Sequence, residues 1–98
     1  MTFKDRYNFD QLENEAKNLV IDELERQLGE YPEPICTCED CVLDMATLAL
    51  NAIRPLYRVS LLGSLYTAHA MEDPLYADAV QTAVKDAIEK VHAHPSHD

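Results

Sequence analysis

Glycine is nearly missing from this chain, with two in 98 residues. An all-β fold built on many tight turns needs more conformational freedom than that, so such a fold is excluded. Basic residues are scarce as well: eight Lys and Arg stand against 18 Asp and Glu. The net charge is −10 and the isoelectric point about 4.6. Non-specific binding to a nucleic-acid polymer needs clustered Lys and Arg, which this balance argues against. A small phosphate ligand held by one or two arginines stays compatible with it. No apolar run approaches the length of a membrane span, and no membrane insertion is expected. The opening residues, Met1 to Tyr7, are polar and charged, with no apolar signal core. These features point to a cytoplasmic protein. No glycine-rich phosphate loop, serine triad or HExxH pattern is present, and no enzymatic activity is expected.

What is present fits one domain, residues 1–98, with no internal repeat. The hydrophobic fraction of 47% is that of a globular protein rather than a disordered one. A chain this short buries a modest core and commonly needs a staple or an oligomer interface. Phe9, Leu12, Ala16, Leu19, Val20, Leu24 and Leu28 follow helical three-to-four spacing and predict a first amphipathic helix. Asn8 or Asp10 can cap its start. Gly29 is placed to end it in a left-handed conformation, and Pro32 and Pro34 forbid continuation.

A second helix is predicted from about Asp40 to Ile53. Val42, Met45, Ala46, Leu48, Ala49, Ala52 and Ile53 make it apolar around much of its surface. Arg54-Pro55 ends it, because the residue before proline is pushed out of helical geometry. Tyr57 to Ala70 has two readings: a short β-hairpin around Gly63-Ser64, or a loop followed by a helix starting near Ser64. Asp73-Pro74 marks a third helix start, a capping residue followed by proline. Ala79, Val80, Ala83, Val84, Ala87, Ile88 and Val91 form its stripe, small enough for close helix packing. The fold expected is therefore mainly α, with three principal helices.

All three cysteines lie within six residues, Cys36-Thr37-Cys38-Glu39-Asp40-Cys41. Disulfides are rare in the cytosol, and the odd count points the same way. Thiolate is a soft ligand, and a structural zinc takes four ligands in a closed site. The last thiol falls on the first turn of the second helix, whose exposed N–H groups favour thiolates at Cys36, Cys38 and Cys41. Zn2+ is the expected cofactor. The fourth ligand must come from elsewhere: His97, His94, His92 or His69, then Asp44 or Asp40, or a residue of a second chain. Three reduced thiols in a turn and a redox switch are the competing readings. No orienting His/Asn arrangement accompanies the cluster, so a catalytic cysteine is not expected.

Arg54, Tyr57, Arg58 and Tyr66 form a second constellation. Arginine offers a planar fork to phosphate and tyrosine can stack on a base, so these four are the candidate ligand-binding residues. The plainer reading packs Tyr57 under the second helix and offsets local acids with the arginines. The acidic pairs Glu13/Glu15, Asp22/Glu23 and Glu39/Asp40 read as solvated helix faces and first turns.

The run from Cys36-Thr37-Cys38 through Cys41, Asp44, Ala49-Leu50-Asn51 and Pro55-Leu56-Tyr57 resembles the late competence development protein ComFB family. The likeness continues more weakly through Gly63, Tyr66, the alanine-rich helix and Val91…Pro95-Ser96-His97. It implies a small, mainly helical bacterial protein, not an enzyme, that forms a homodimer and binds zinc through the cysteine cluster. Some relatives act as receptors for cyclic dinucleotides such as cyclic di-GMP and cyclic di-AMP. Some carry a further cysteine near the C-terminus; this chain has none, and His97 or His94 is the expected substitute. A homodimer also follows from the amount of apolar helix surface, more than one small chain can cover. Two functions are in view. One is a signalling module in which a cyclic dinucleotide binds near Arg54–Arg58 and changes how an unidentified protein partner docks. The other is a zinc-stabilised interaction module without a small-molecule ligand.

Overall fold

The structure is a computed structural model that describes residues 1–59, 65, 68–70 and 72–95. It is mainly helical with one small sheet. The chain begins with a short helix α1 (Phe3–Arg6) and a 3-10 turn (Phe9–Gln11). Strand β1 (Glu13–Asn14) then precedes α2 (Ala16–Gly29). The cysteine loop leads into α3 (Glu39–Ala52). Strand β2 (Tyr57–Arg58) and the long helix α4 (Pro74–Ala93) complete the described elements. α4 packs most extensively on α3, and α2 touches both.

α2 starts later than its apolar stripe suggests. Asn14 is the reason. Its Oδ1 accepts from Ala16 N at 3.1 Å and from Leu56 N at 2.7 Å. One side chain therefore starts the helix and ties it to the segment beyond α3. The backbone reinforces this tie: Glu15 N donates to Leu56 O at 2.8 Å. Phe9 and Leu12 match the helical spacing but remain exposed. Phe9 instead joins Phe3 and Tyr7 in a cluster with ring centroids 5.0 to 6.3 Å apart. Asn8 does act as a cap, but of the 3-10 turn, accepting from Asp10 N at 3.1 Å. Gly29 is the last residue of α2 and does not take a left-handed conformation. Glu30 N instead bonds back to Gln27 O and Leu28 O.

α3 begins where Cys38 accepts through Sγ from Cys41 N at 3.5 Å, and Ile53 is its extended C-cap. Tyr57–Arg58 is extended as its β-branched and aromatic neighbourhood predicts, but its partner is β1. The register is antiparallel, Glu13 opposite Arg58 and Asn14 opposite Tyr57. Residues 65 and 68–70 are helical, in keeping with the helix alternative for this region. Gly63 and Ser64, the expected hairpin turn, lie outside the described residues. α4 starts as expected: Asp73 Oδ1 accepts from Leu75 N at 2.9 Å and Pro74 occupies the first turn.

The core gathers Ala16, Val20 and Leu24 from α2 with Cys41, Met45 and Ala49 from α3. To these α4 adds Tyr76, Val80, Ala83, Val84, Ala87, Ile88 and Val91. Each set follows helical spacing, so each helix turns one stripe inward. Ala79 lies off the α4 stripe and is exposed, whereas Tyr76 takes the inward position at its N-terminal end. Leu56, between α3 and β2, is fully buried and plugs the junction. No helix among the described residues is long and apolar enough to cross a membrane.

Candidate metal centre

The sequence brings the three thiols together in two steps. Residues 35–37 have no regular secondary structure after the Pro32 and Pro34 hinge, and α3 begins at Glu39. Cys36 and Cys38 therefore lie on the loop and Cys41 on the first helical turn. Their Sγ atoms all lie within 4.8 Å of one another. Three sulfurs around one zinc at Zn–S near 2.3 Å stand about 3.8 Å apart in tetrahedral geometry. The donor set and its spacing thus fit a thiolate-bound metal ion. Cys41 is buried, Cys36 half-buried and Cys38 exposed. No disulfide links them.

The thiols differ electrostatically. Hydrogen bonds from the Cys38 backbone and then from its side chain hold the Cys36 thiol below the usual cysteine value. Cys41 is pushed up to about 12, first by burial and then by its hydrogen bonds to Cys38 and Cys36. A buried thiolate beside two sulfurs is unfavourable unless a cation stands among them, which a metal ion would supply. The same knot is tied to the core through Cys41, so an ion held there would fix the loop against α3.

Among the described residues, the cluster of candidate ligands comprises these three cysteines alone. His94 is exposed and ends α4, its backbone N bonding to Lys90 O and Val91 O. His69 and Asp40 are exposed and Asp44 is half-buried; none of them joins the cluster. His97 lies outside the described residues. The expected link between the end of α4 and the cysteine loop nevertheless exists by another route. His92 Nε2 stands 3.5 Å from Glu33 Oε1, and the His92 ring meets the Tyr31 ring edge-on at 5.6 Å. The proline hinge leading to the knot is thus anchored on α4.

The arginine and tyrosine candidates are spread over different supports. Arg58 is held by two carboxylates. Its Nε donates to Glu15 Oε1 at 2.6 Å and its Nη2 to Glu13 Oε2 at 3.2 Å. Hydrogen bonds from Asn18 and then from Arg58 hold the Glu15 carboxyl below its usual value. Tyr57, the neighbouring strand residue, points to the opposite side, as alternation in extended chain requires. It is 56% exposed and lines a polar hollow with Asp10, Glu13 and Lys17. Arg54 is exposed, its guanidinium 5.5 Å from the centre of the Tyr76 ring. Tyr76, whose hydroxyl donates to Arg54 O at 2.6 Å, carries no signal in the sequence beyond its place one turn before Val80. Tyr66 lies outside the described residues.

A mainly helical domain with a three-thiol knot at the N-terminus of its second long helix defines a class of small proteins built round a candidate metal staple. The profile of the family described as late competence development protein ComFB matches residues 13–95, and the chain belongs to that family. The solved structure of the late competence protein ComFB from Bacillus subtilis is similar, with a TM-score of 0.66 and 25% sequence identity. The likeness covers 87% of this chain and 94% of that one. No curated protein matches the chain significantly in sequence.

Proposed function

We propose that the protein is a non-enzymatic regulatory module, a homodimer whose cysteine knot binds zinc and which responds to a cyclic dinucleotide. The convergence of Cys36, Cys38 and Cys41 within 4.8 Å carries the zinc part of the reading. Zinc would hold the loop in one shape and so preserve the surface that partners read. His97 or His94 would complete the coordination from the C-terminal tail. Every other role belongs to the chain itself: the proline hinge positions Cys36, and the first turn of α3 positions Cys41.

The cyclic dinucleotide reading draws on family membership and on the chemistry left exposed at the end of α3. Arg54 is exposed over an aromatic ring, and Tyr57 offers a largely open face. Arginine with aromatic surface suits a ligand made of phosphates and bases. A second reading, an interaction module without a small-molecule ligand, is favoured by one observation: Glu13 and Glu15 already occupy the fork of Arg58.

Calorimetric titration of the folded protein with cyclic di-GMP and cyclic di-AMP separates the two. Saturable binding that weakens about tenfold or more in Arg54→Ala supports the receptor reading. No binding of either ligand to folded protein leaves the interaction module. Binding unchanged in Arg54→Ala and Arg58→Ala places the ligand elsewhere on the molecule.

A further inference from the structure

The three sulfurs of the cysteine knot are not equivalent. Cys38 and Cys41 share the start of α3, Cys38 as its cap and Cys41 within the first turn. The Cys41 N–H donates to Cys38 Sγ at 3.5 Å, which sets the first sulfur against the turn that carries the second. Cys36 lies earlier on the loop, where its sulfur accepts from the Cys38 backbone.

Exposure divides the pair further. Cys38 is exposed, whereas Cys41 is 1% exposed and belongs to the core. A Cys-x-x-Cys at a helix start, with one sulfur open to solvent and the other buried behind it, is the layout of thiol redox pairs. Oxidant reaches Cys38, and only a sulfur of the same chain reaches Cys41. Their Sγ atoms already lie within 4.8 Å, against about 2 Å in a disulfide. Cys38 can close that gap from the loop side, without unwinding α3.

We propose that Cys38 and Cys41 are a redox-active pair that a peroxide closes to an intramolecular disulfide, and that closure takes two thiolates from the metal site and releases the staple. This rests on the zinc reading above and supplies its regulation. Metal ligation keeps thiols as thiolates, the nucleophilic form. The Cys38 thiolate attacks one peroxide oxygen, the O–O bond breaks and hydroxide leaves, giving a sulfenic acid. The Cys41 sulfur then attacks the Cys38 sulfur. The S–OH bond breaks, and that hydroxyl leaves as water with the Cys41 proton. The sulfur pair loses two electrons and the peroxide gains them. The hinge then keeps its contact with α4 through Tyr31, Glu33 and His92.

Titration of the folded, zinc-loaded full chain with hydrogen peroxide tests this. Released zinc is read with a chromogenic chelator. The remaining thiol is alkylated and located by fragmentation in a mass spectrometer. About one zinc is expected to leave per disulfide formed. Cys36 is expected to be the alkylated residue, and dithiothreitol with added zinc to restore the starting state. Cys36→Ser should form the same disulfide, and Cys38→Ser should lose its thiols about tenfold more slowly or not at all, with circular dichroism confirming the fold. Where a variant does not fold, the alkylation map of the wild-type chain decides alone. Thiols that survive peroxide, or a disulfide that involves Cys36 or a second chain, overturn the pair and leave the zinc reading intact. A Cys38–Cys41 disulfide formed while zinc stays bound overturns the release. A folded chain that holds no zinc yet forms this disulfide overturns the zinc reading, and the redox pair stands.

Discussion

Asn14 does more for the fold than its place in a two-residue strand suggests. Its single side-chain oxygen satisfies two backbone donors, one at Ala16 two residues on and one at Leu56, 42 residues from Asn14 in sequence. Asn14→Ala leaves both without that acceptor in a part-buried place, and a loss of about 1–3 kcal/mol is expected in denaturant unfolding. Asn14→Asp retains the acceptor and should recover much of that loss. Gly29 gives the opposite test. It is helical, its φ is not positive, and a Cβ built there meets nothing within 4 Å. Gly29→Ala should therefore raise stability by about 0.5–1 kcal/mol by limiting the unfolded chain. Had Gly29 been the left-handed cap that its position in the sequence predicts, the same change would destabilise. The difference arises because Glu30, rather than Gly29, closes the last turn.

At the scale of elements, local signals are legible in the sequence and long-range ones are not. The extent of α3 and the start of α4 are legible in the sequence, because Pro55 and Asp73-Pro74 act locally, within a few residues of the ends they set. The cysteine knot was legible for the same reason: six residues hold all three thiols. β1 and the late start of α2 were hidden, since both depend on Leu56 and Tyr57 returning to meet Asn14 across a long loop. Phe9 and Leu12 kept the helical spacing while belonging to an exposed aromatic cluster, and spacing cannot tell those cases apart. For Arg58 the sequence offers two readings, a phosphate fork or a counter-charge to acids, and cannot name its partners because Glu13 and Glu15 are distant in sequence. At this scale Tyr76→Phe is informative. It removes the hydroxyl that bonds Arg54 O and ties α4 to the exit of α3. A cost of about 0.5–1.5 kcal/mol is expected in thermal or chemical unfolding, with the aromatic packing kept.

Taken whole, the molecule is acidic yet uses its few arginines as clamps. Arg26 binds Glu23 and Glu30 within α2, and Arg58 joins β2 to Glu13 and Glu15. Arg26 also holds the Glu23 carboxyl below its usual value, as Asn18 and Arg58 do for Glu15. A carboxyl with a depressed value in the folded state stabilises it above the unfolded value near 4.5. That contribution fades as pH falls through the lowered folded values. Stability measured by denaturant midpoint should accordingly be flat at neutral pH and decline below about pH 4.5. Glu15→Gln should make that decline shallower, because one of the two titrating clamps is gone.

The central claim is that Cys36, Cys38 and Cys41 form a metal staple between the proline hinge and α3. Elemental analysis of the purified, folded chain, paired with unfolding before and after a strong chelator, addresses it directly. The account predicts about one zinc per chain, a lower unfolding temperature after chelation, and loss of both properties in Cys41→Ser. A folded protein that carries no metal when purified with zinc present, and whose stability a chelator leaves unchanged, would contradict it.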